Sequence, residues 1–308
     1  LTLQITDSAN ISLNSTWPCP QMMTVSSSSF NSLSHICANN SLQLTTSSSA
    51  KLFVDSSMIC PSITTIKIFD NSYIDNICAL SGLTIETSGT SHYSLNKTWP
   101  CPQYLSLTSS SSVLISDICA QTVMKLIGSV SSNLMMNSSG ICPQNVSVIA
   151  LDNTTISNVC STYQLSIQAK DYSNISIDSS ISCPKYSSVN SSRNFSINDI
   201  CASVKLQIWA SQGASMTMNS SIICPKEAQI VASDQSKISN LCAINNLTIE
   251  ISDSAFVAMN NSLSCPQTTT VNAINSNNSL SFCALNTLNI NLINSSYLYD
   301  SMQQCPNE

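Results

Sequence analysis

NSTWPCPQ spans residues 14–21 and returns, with one change, as NKTWPCPQ at residues 96–103. The interval of 82 residues is explained by the cysteines, which fall at Cys19, Cys37, Cys60, Cys78, Cys101, Cys119, Cys142, Cys160, Cys183, Cys201, Cys224, Cys242, Cys265, Cys283 and Cys305. Their gaps alternate 18 and 23 until a final gap of 22, so the unit is 41 residues and the octapeptide recurs after two units. Cut at that period, the chain stacks into repeats 1–41, 42–82, 83–123, 124–164, 165–205, 206–246, 247–287 and a partial 288–308.

The first half of each repeat opens with two aliphatic positions separated by one other residue: Leu1 and Leu3, Leu42 and Leu44, Leu83 and Ile85, through to Leu288 and Ile290. Period-two alternation predicts a strand with one buried face. A second short strand follows, with Ile11 and Leu13, Leu52 and Val54, Ile175 and Ile177 at matching places, and then Cys-Pro. The second halves carry a column of Val25, Ile66, Leu107, Val148, Val189, Ile230 and Val271, and another of Leu33, Ile74, Ile115, Ile156, Ile197 and Ile238. Each closes on a Cys followed by Ala or Ser, a corner with room for little else.

A half-repeat of about 20 residues cannot bury its own apolar face, but stacked half-repeats bury it jointly. β-branched residues and Asn-Ser corners disfavour helical repeats of similar length. The arrangement resembles parallel β-helix solenoids across the whole chain. It implies one continuous, all-β coil of about 15 rungs over residues 1–308. At roughly 4.8 Å per rung the rod is on the order of 70 Å long, with right-handed crossovers expected. Leu3, Leu44, Ile85, Ile167, Ile208 and Ile249 are expected to face inward.

The cysteine spacing is foreign to zinc sites: there is no CxxC pair, and only His35 and His92 are at hand. Disulfides between neighbouring rungs are expected, and with them an oxidising compartment. Two registers fit. Either Cys19–Cys37 repeats onward and leaves Cys305 over, or Cys37–Cys60 repeats onward and leaves Cys19 over. Tying the last rung back through Cys283–Cys305 favours the second.

Composition narrows the partners. The 308 residues include 64 Ser, 23 Thr and 32 Asn but only 10 Lys or Arg, with a formal net charge of −6. No basic stripe is present for nucleic acid or an anionic membrane, and no 18-residue apolar run spans a bilayer. Neither a signal peptide nor an initiator Met appears, and the chain opens at Leu1 as though processed or cut from something longer.

One corner of the repeat reads Asn14, Asp55, Asn96, Asn137, Asp178, Asn219 and Asn260. Asn and Asp suit a left-handed turn, and Asn14, Asn96, Asn137, Asn219 and Asn260 are also N-x-[ST] sequons. The remaining sequons are Asn10, Asn39, Asn145, Asn153, Asn174, Asn190, Asn194, Asn246, Asn277 and Asn294. N-linked glycans are therefore expected, as a eukaryotic secretory pathway would add them. They would also solubilise a rod with so little charge.

Parallel β-helices are often polysaccharide lyases or hydrolases, so catalysis must be weighed. Glycoside hydrolysis needs paired carboxylates about 5–9.5 Å apart. The best acidic column, Asp70, Asp152 and Asp234, occupies alternate repeats, which are roughly 19 Å apart, with Arg193 between two of its members. Acidic pairs from different columns can also be drawn, for example Asp199 with Asp234, but nothing in the sequence points to one. His35 and His92 lie on different halves of the repeat, and the outward column Thr2, Gln43, Thr84, Lys125, Ser166, Gln207, Thr248 and Asn289 is too mixed for an ice-binding array. Trp17 and Trp99 precede the corner prolines and are read as covering that edge.

No cofactor, metal or catalytic residue is expected. The function expected is structural: a subunit or segment of an extracellular, glycosylated filament or sheath whose open coil ends stack copy on copy. The alternative is a cell-surface adhesin binding glycan or protein, and a more distant one a carbohydrate-active enzyme.

Overall fold

The computed structural model describes residues 1–299 apart from 7–9, 14–17, 30, 55–59, 96–99, 111, 113, 137–141, 179–182, 219–222, 261–263, 276–278, 281 and 295–297. The described chain is all β, with no helix, and its parallel strands stack as a β-solenoid. It divides into two compact units, Leu1–Gln144 with Thr154–Ile156, and Asn145–Asn153 with Ser157–Glu308.

In the first unit the long sheet runs through Thr2–Ile5, Met22–Ser27, Ser41–Thr46, Ile63–Ile68, Gly82–Ser88, Tyr104–Ser110 and Val123–Gly128. In the second it runs through Asn145–Ala150, Gln164–Lys170, Tyr186–Ser192, Lys205–Ser211, Glu227–Ala232, Asn246–Ser252, Thr268–Ile274 and Thr287–Ile293. Leu3 pairs with Val25, Val25 with Leu44, Leu44 with Ile66 and Ile66 with Ile85. Successive rungs are thus alternately 22 and 19 residues apart, and the two half-repeats interleave in one column.

That column is the core. Leu44, Ile85, Ile167, Ile208 and Ile249 are buried, as are Val25, Ile66, Val148, Val189, Ile230 and Val271; Leu3, in the first strand, is half-buried. Each full burial contributes roughly 1.5–3 kcal/mol. Near the corner that leads to the second sheet many inward residues are small, as at Ser27, Thr46, Thr87, Ser109, Ala150, Ala169, Ala210 and Ala232, all buried, while Ile5, Ile68 and Ile251 keep their full size in the same column. The bore is narrow enough for inward hydroxyls to cross it: Thr64, Ser187 and Thr269 donate through Oγ to the carbonyls of Cys78, Cys201 and Cys283 at 2.7, 2.6 and 2.6 Å. Buried polar positions in these strands are therefore tolerated where a carbonyl faces them.

The second sheet explains why the halves differ. Its second-half strands hold one extra residue, with Leu33 opposite Leu52 but Ile36 opposite Val54, and the same shift between Ile197 and Ile200 and between Ile238 and Leu241. The extra residue makes a β-bulge with left-handed backbone at His35, Asn76, Asp117, Asn158, Asp199 and Asn240, φ between 58° and 61°. Five of these six are Asn or Asp, the residues that enter this region at least cost. The bulge is thus written, in five of these six places, in the Asn/Asp that precedes Ile/Val/Leu-Cys.

The corner between the sheets is also left-handed, through residue pairs such as Ser48–Ser49, Asp152–Asn153, Asp171–Tyr172, Arg193–Asn194 and Asp253–Ser254. In the second unit its backbone groups climb the coil as a ladder: Asn153 N–H donates to Asp171 O at 2.9 Å, Asn194 to Gln212 at 2.9 Å and Gly213 to Asp234 at 2.8 Å. Val130, exposed and at φ 55°, is the one β-branched residue with left-handed backbone among the described residues. Left-handed backbone costs an ordinary residue about 1–2 kcal/mol, and Asn relieves part of that. Val130→Asn is therefore expected to raise stability by about 1 kcal/mol, measured as a higher urea midpoint with an unchanged slope.

Candidate functional site

The described cysteines are paired as clasps. Cys19–Cys37, Cys60–Cys78, Cys101–Cys119, Cys183–Cys201, Cys224–Cys242 and Cys265–Cys283 are bonded, each pair 18 residues apart with Cα atoms 5.4–5.6 Å apart. Cys142 and Cys160 are disulfide-bonded as well. The register favoured from the chain's last rung, Cys37–Cys60, is corrected to the other one; Cys305 lies outside the described residues. Both neighbours of any cysteine are one rung away, so spacing does not choose between them. The corners do.

The short corner after each second-half strand lies on the Cys-Pro corner before it. Asn39 N–H donates to Pro20 O at 2.8 Å, Leu80 to Pro61 at 2.9 Å, Ser203 to Pro184 at 2.8 Å and Ile244 to Pro225 at 2.8 Å. The side-chain amides of Asn39 and Gln121 reinforce this on the carbonyls of Cys19 and Cys101, at 2.9 and 2.7 Å. These fourteen bonded cysteines place the chain in an oxidising environment. Among the described residues no helix is long and apolar enough to cross a membrane.

Of the corner sequons, Asn14, Asn96, Asn137 and Asn219 lie outside the described residues, as does Asn277; Asn260 is half-buried. Asn10, Asn39, Asn153, Asn174, Asn190, Asn194, Asn246 and Asn294 are exposed, and Asn145 is half-buried. Trp17 and Trp99 also lie outside the described residues.

The acidic column sits on the left-handed corner, where Asp70, Asp152 and Asp234 all have positive φ. The first-half acids Asp171 and Asp253 join it, each one rung from Asp152 and Asp234 respectively. Reading the halves separately missed these neighbours, because the coil interleaves them. Asp171 accepts from Arg193 at 3.3 Å. Asp199 stands on the bulge of the second sheet, away from Asp234 on the corner. His35 contacts Ser12 Oγ at 3.2 Å, and His92 is three strands further along the same sheet, more than about 14 Å away at the strand spacing. Among the described residues no group of three or more His, Cys, Asp and Glu is placed to hold a metal.

In the second sheet, the column through Leu33, Leu52 and Ile74 departs from its aliphatic pattern at Tyr93. Tyr93 stands where other repeats have Leu52, Leu134 and Ile175, and its buried hydroxyl has no partner among the described residues. Burial pushes its phenol well above the ordinary tyrosine range. The second sheet breaks directly after this strand, His92–Leu95, which does not pair with Leu114–Ile118.

The richest surface is the outside of the long sheet in the second unit. Three outward columns run there, spaced two residues or about 6.6 Å apart along each strand. The middle one reads Ser147, Ser166, Ser188, Gln207, Gln229, Thr248 and Thr270, all uncharged hydroxyls and amides in register. Gln207 Nε2 donates to Gln229 Oε1 at 3.1 Å. Trp209 rises on one side of this column beside Asn190. On the other side Tyr186 meets Tyr163 edge-on at 5.5 Å, and Lys185 lies 5.5 Å from the Tyr163 ring centre. Between them lie two shallow depressions of about 510 and 330 Å³ that share Ser188. No known protein family, curated protein or solved structure matches this chain.

Proposed function

We propose that the chain is a structural, non-catalytic segment of an extracellular filament or sheath, with N-linked glycans on exposed sequons such as Asn39 and Asn153 and its coil extended by rungs from another copy. The observation that carries this reading is regularity under covalent reinforcement: the 22- and 19-residue offsets recur from repeat to repeat, and one disulfide pair recurs in each. A cleft-forming enzyme interrupts such a ladder with insertions, and among the described residues the offsets between strands of the long sheet run without them.

Extension is favoured by the Thr287–Ile293 strand. Its Leu288, Ile290 and Leu292 are 40–46% exposed, where the corresponding Leu247, Ile249 and Ile251 are 1–3% exposed. An apolar strand face of this kind is completed by a further rung. Negative-stain electron microscopy of the purified, oxidised chain tests the reading. Filaments of rung-stacked copies are expected, and a field of isolated short particles at all concentrations would defeat it.

A further inference from the structure

Trp209 is the only tryptophan outside the Trp-Pro-Cys-Pro corners. It projects from the outer face of the coil, half-buried, and contributes nothing to the bore. In register with Asn190 on one side and Val231 on the other, it stands above the depression floored by Ser166, Ser188 and Gln168. Across the middle column, Tyr186 bounds the second depression together with Gln207 and Lys205.

We propose that this trough binds an uncharged oligosaccharide or polysaccharide chain lying along the coil. The floor consists of hydroxyls and primary amides, each able both to donate and to accept. Sugar hydroxyls have the same dual character. The aromatic walls offer flat, amphipathic rings with an apolar face and a polar tip, suited to the C–H faces of a pyranose.

The charge balance excludes the competing ligands. No ionisable group lines the larger depression, and Lys205 is the only cation lining the smaller. Phosphate backbones and uronates call for Arg or Lys clusters. Peptide strand addition requires a free sheet edge, whereas this is a sheet face whose backbone groups are already paired on both sides. The two depressions cover the four strands from Asn145–Ala150 to Lys205–Ser211, or about 14 Å at the rung spacing, enough for a short run of sugar units.

Asn190 adds a condition. It is an exposed sequon within the trough, and a covalent sugar there would fill the space beside Trp209. The proposal therefore requires Asn190 to be unmodified. It does not depend on filament formation, and a chain that failed to polymerise would still present the trough.

The test is calorimetric titration of the intact, oxidised chain with cellohexaose and chitohexaose, with hexagalacturonate as the charged comparison. At least one neutral hexasaccharide is expected to bind. Trp209→Ala should weaken that binding about tenfold and Tyr186→Ala several-fold, in keeping with the loss of a stacked ring. Trp209→Leu keeps the apolar cover while removing the ring, so it should match Trp209→Ala in binding with an unchanged thermal transition. Absence of binding by both neutral sugars overturns the proposal, as does equal binding of hexagalacturonate or undiminished binding by Trp209→Leu. Mass spectrometry finding glycan on Asn190 overturns it independently.

Discussion

Removing one clasp, in Cys183→Ser/Cys201→Ser, is expected to cost about 3 kcal/mol and to open one rung while leaving distant rungs intact. The pair closes a loop of 18 residues, and cross-linking a loop of that length restricts the unfolded chain by about that amount. The loop contains the strands Tyr186–Ser192 and Ser196–Ile200, so one disulfide spans almost one full turn. In a solenoid, stability is the sum of each rung and its contacts with its neighbours. Amide hydrogen exchange should therefore accelerate in these two strands and the rungs next to them, and remain at the parent rate in Ser41–Thr46. Uniform acceleration along the chain would show that the coil unfolds as one unit. No acceleration at all would show that the clasp contributes nothing to native stability. Complete reduction removes every clasp and should abolish the cooperative thermal transition.

The second large effect concerns adjacent residues with opposite orientations. Ile208 is fully buried, between Val189 and Ile230 in the core column. An aspartate there has no cation within the apolar column to pair with, and an unpaired buried charge is among the few changes that cost 4 kcal/mol or more. Gln207 points outward, and Gln207→Asp removes a single amide hydrogen bond to Gln229, a loss of about 1 kcal/mol. Urea unfolding of the two variants should separate them by at least about 3 kcal/mol. Equal losses would mean that the strand Lys205–Ser211 is not alternating.

The inward columns were readable because a buried strand repeats every two residues and a stacked rung repeats at a fixed interval. Leu44, Ile85 and Ile249 needed nothing else. The Asn/Asp of the bulge went unread, because the left-handed turn was sought in the column of Asp178 and Asn260, whereas it falls at Asn76, Asp117, Asn158, Asp199 and Asn240. Disulfide direction was not legible from spacing. It depends on which way a corner leans, and that is settled by contacts such as Asn39 Nδ2 on Cys19 O. The trough was hidden by the cut at 41 residues. That cut sets Trp209 beside other first-half residues, whereas the coil places it between Asn190 and Val231, both from second halves. The acid neighbours Asp171 and Asp253 were obscured in the same way.

The clasps also fix how far the coil can stretch. Under axial tension a disulfide passes force directly from one cysteine to its partner, so the 18 residues between them carry no load. Only the segment to the next clasp, as from Cys37 to Cys60, can be drawn out. Fully extended, that segment reaches on the order of 80 Å, little more than half of what the uncrosslinked repeat would yield. In single-molecule pulling, oxidised material should lengthen in short, evenly sized steps and reducing conditions should nearly double each step, so the redox state would set the compliance of the coil.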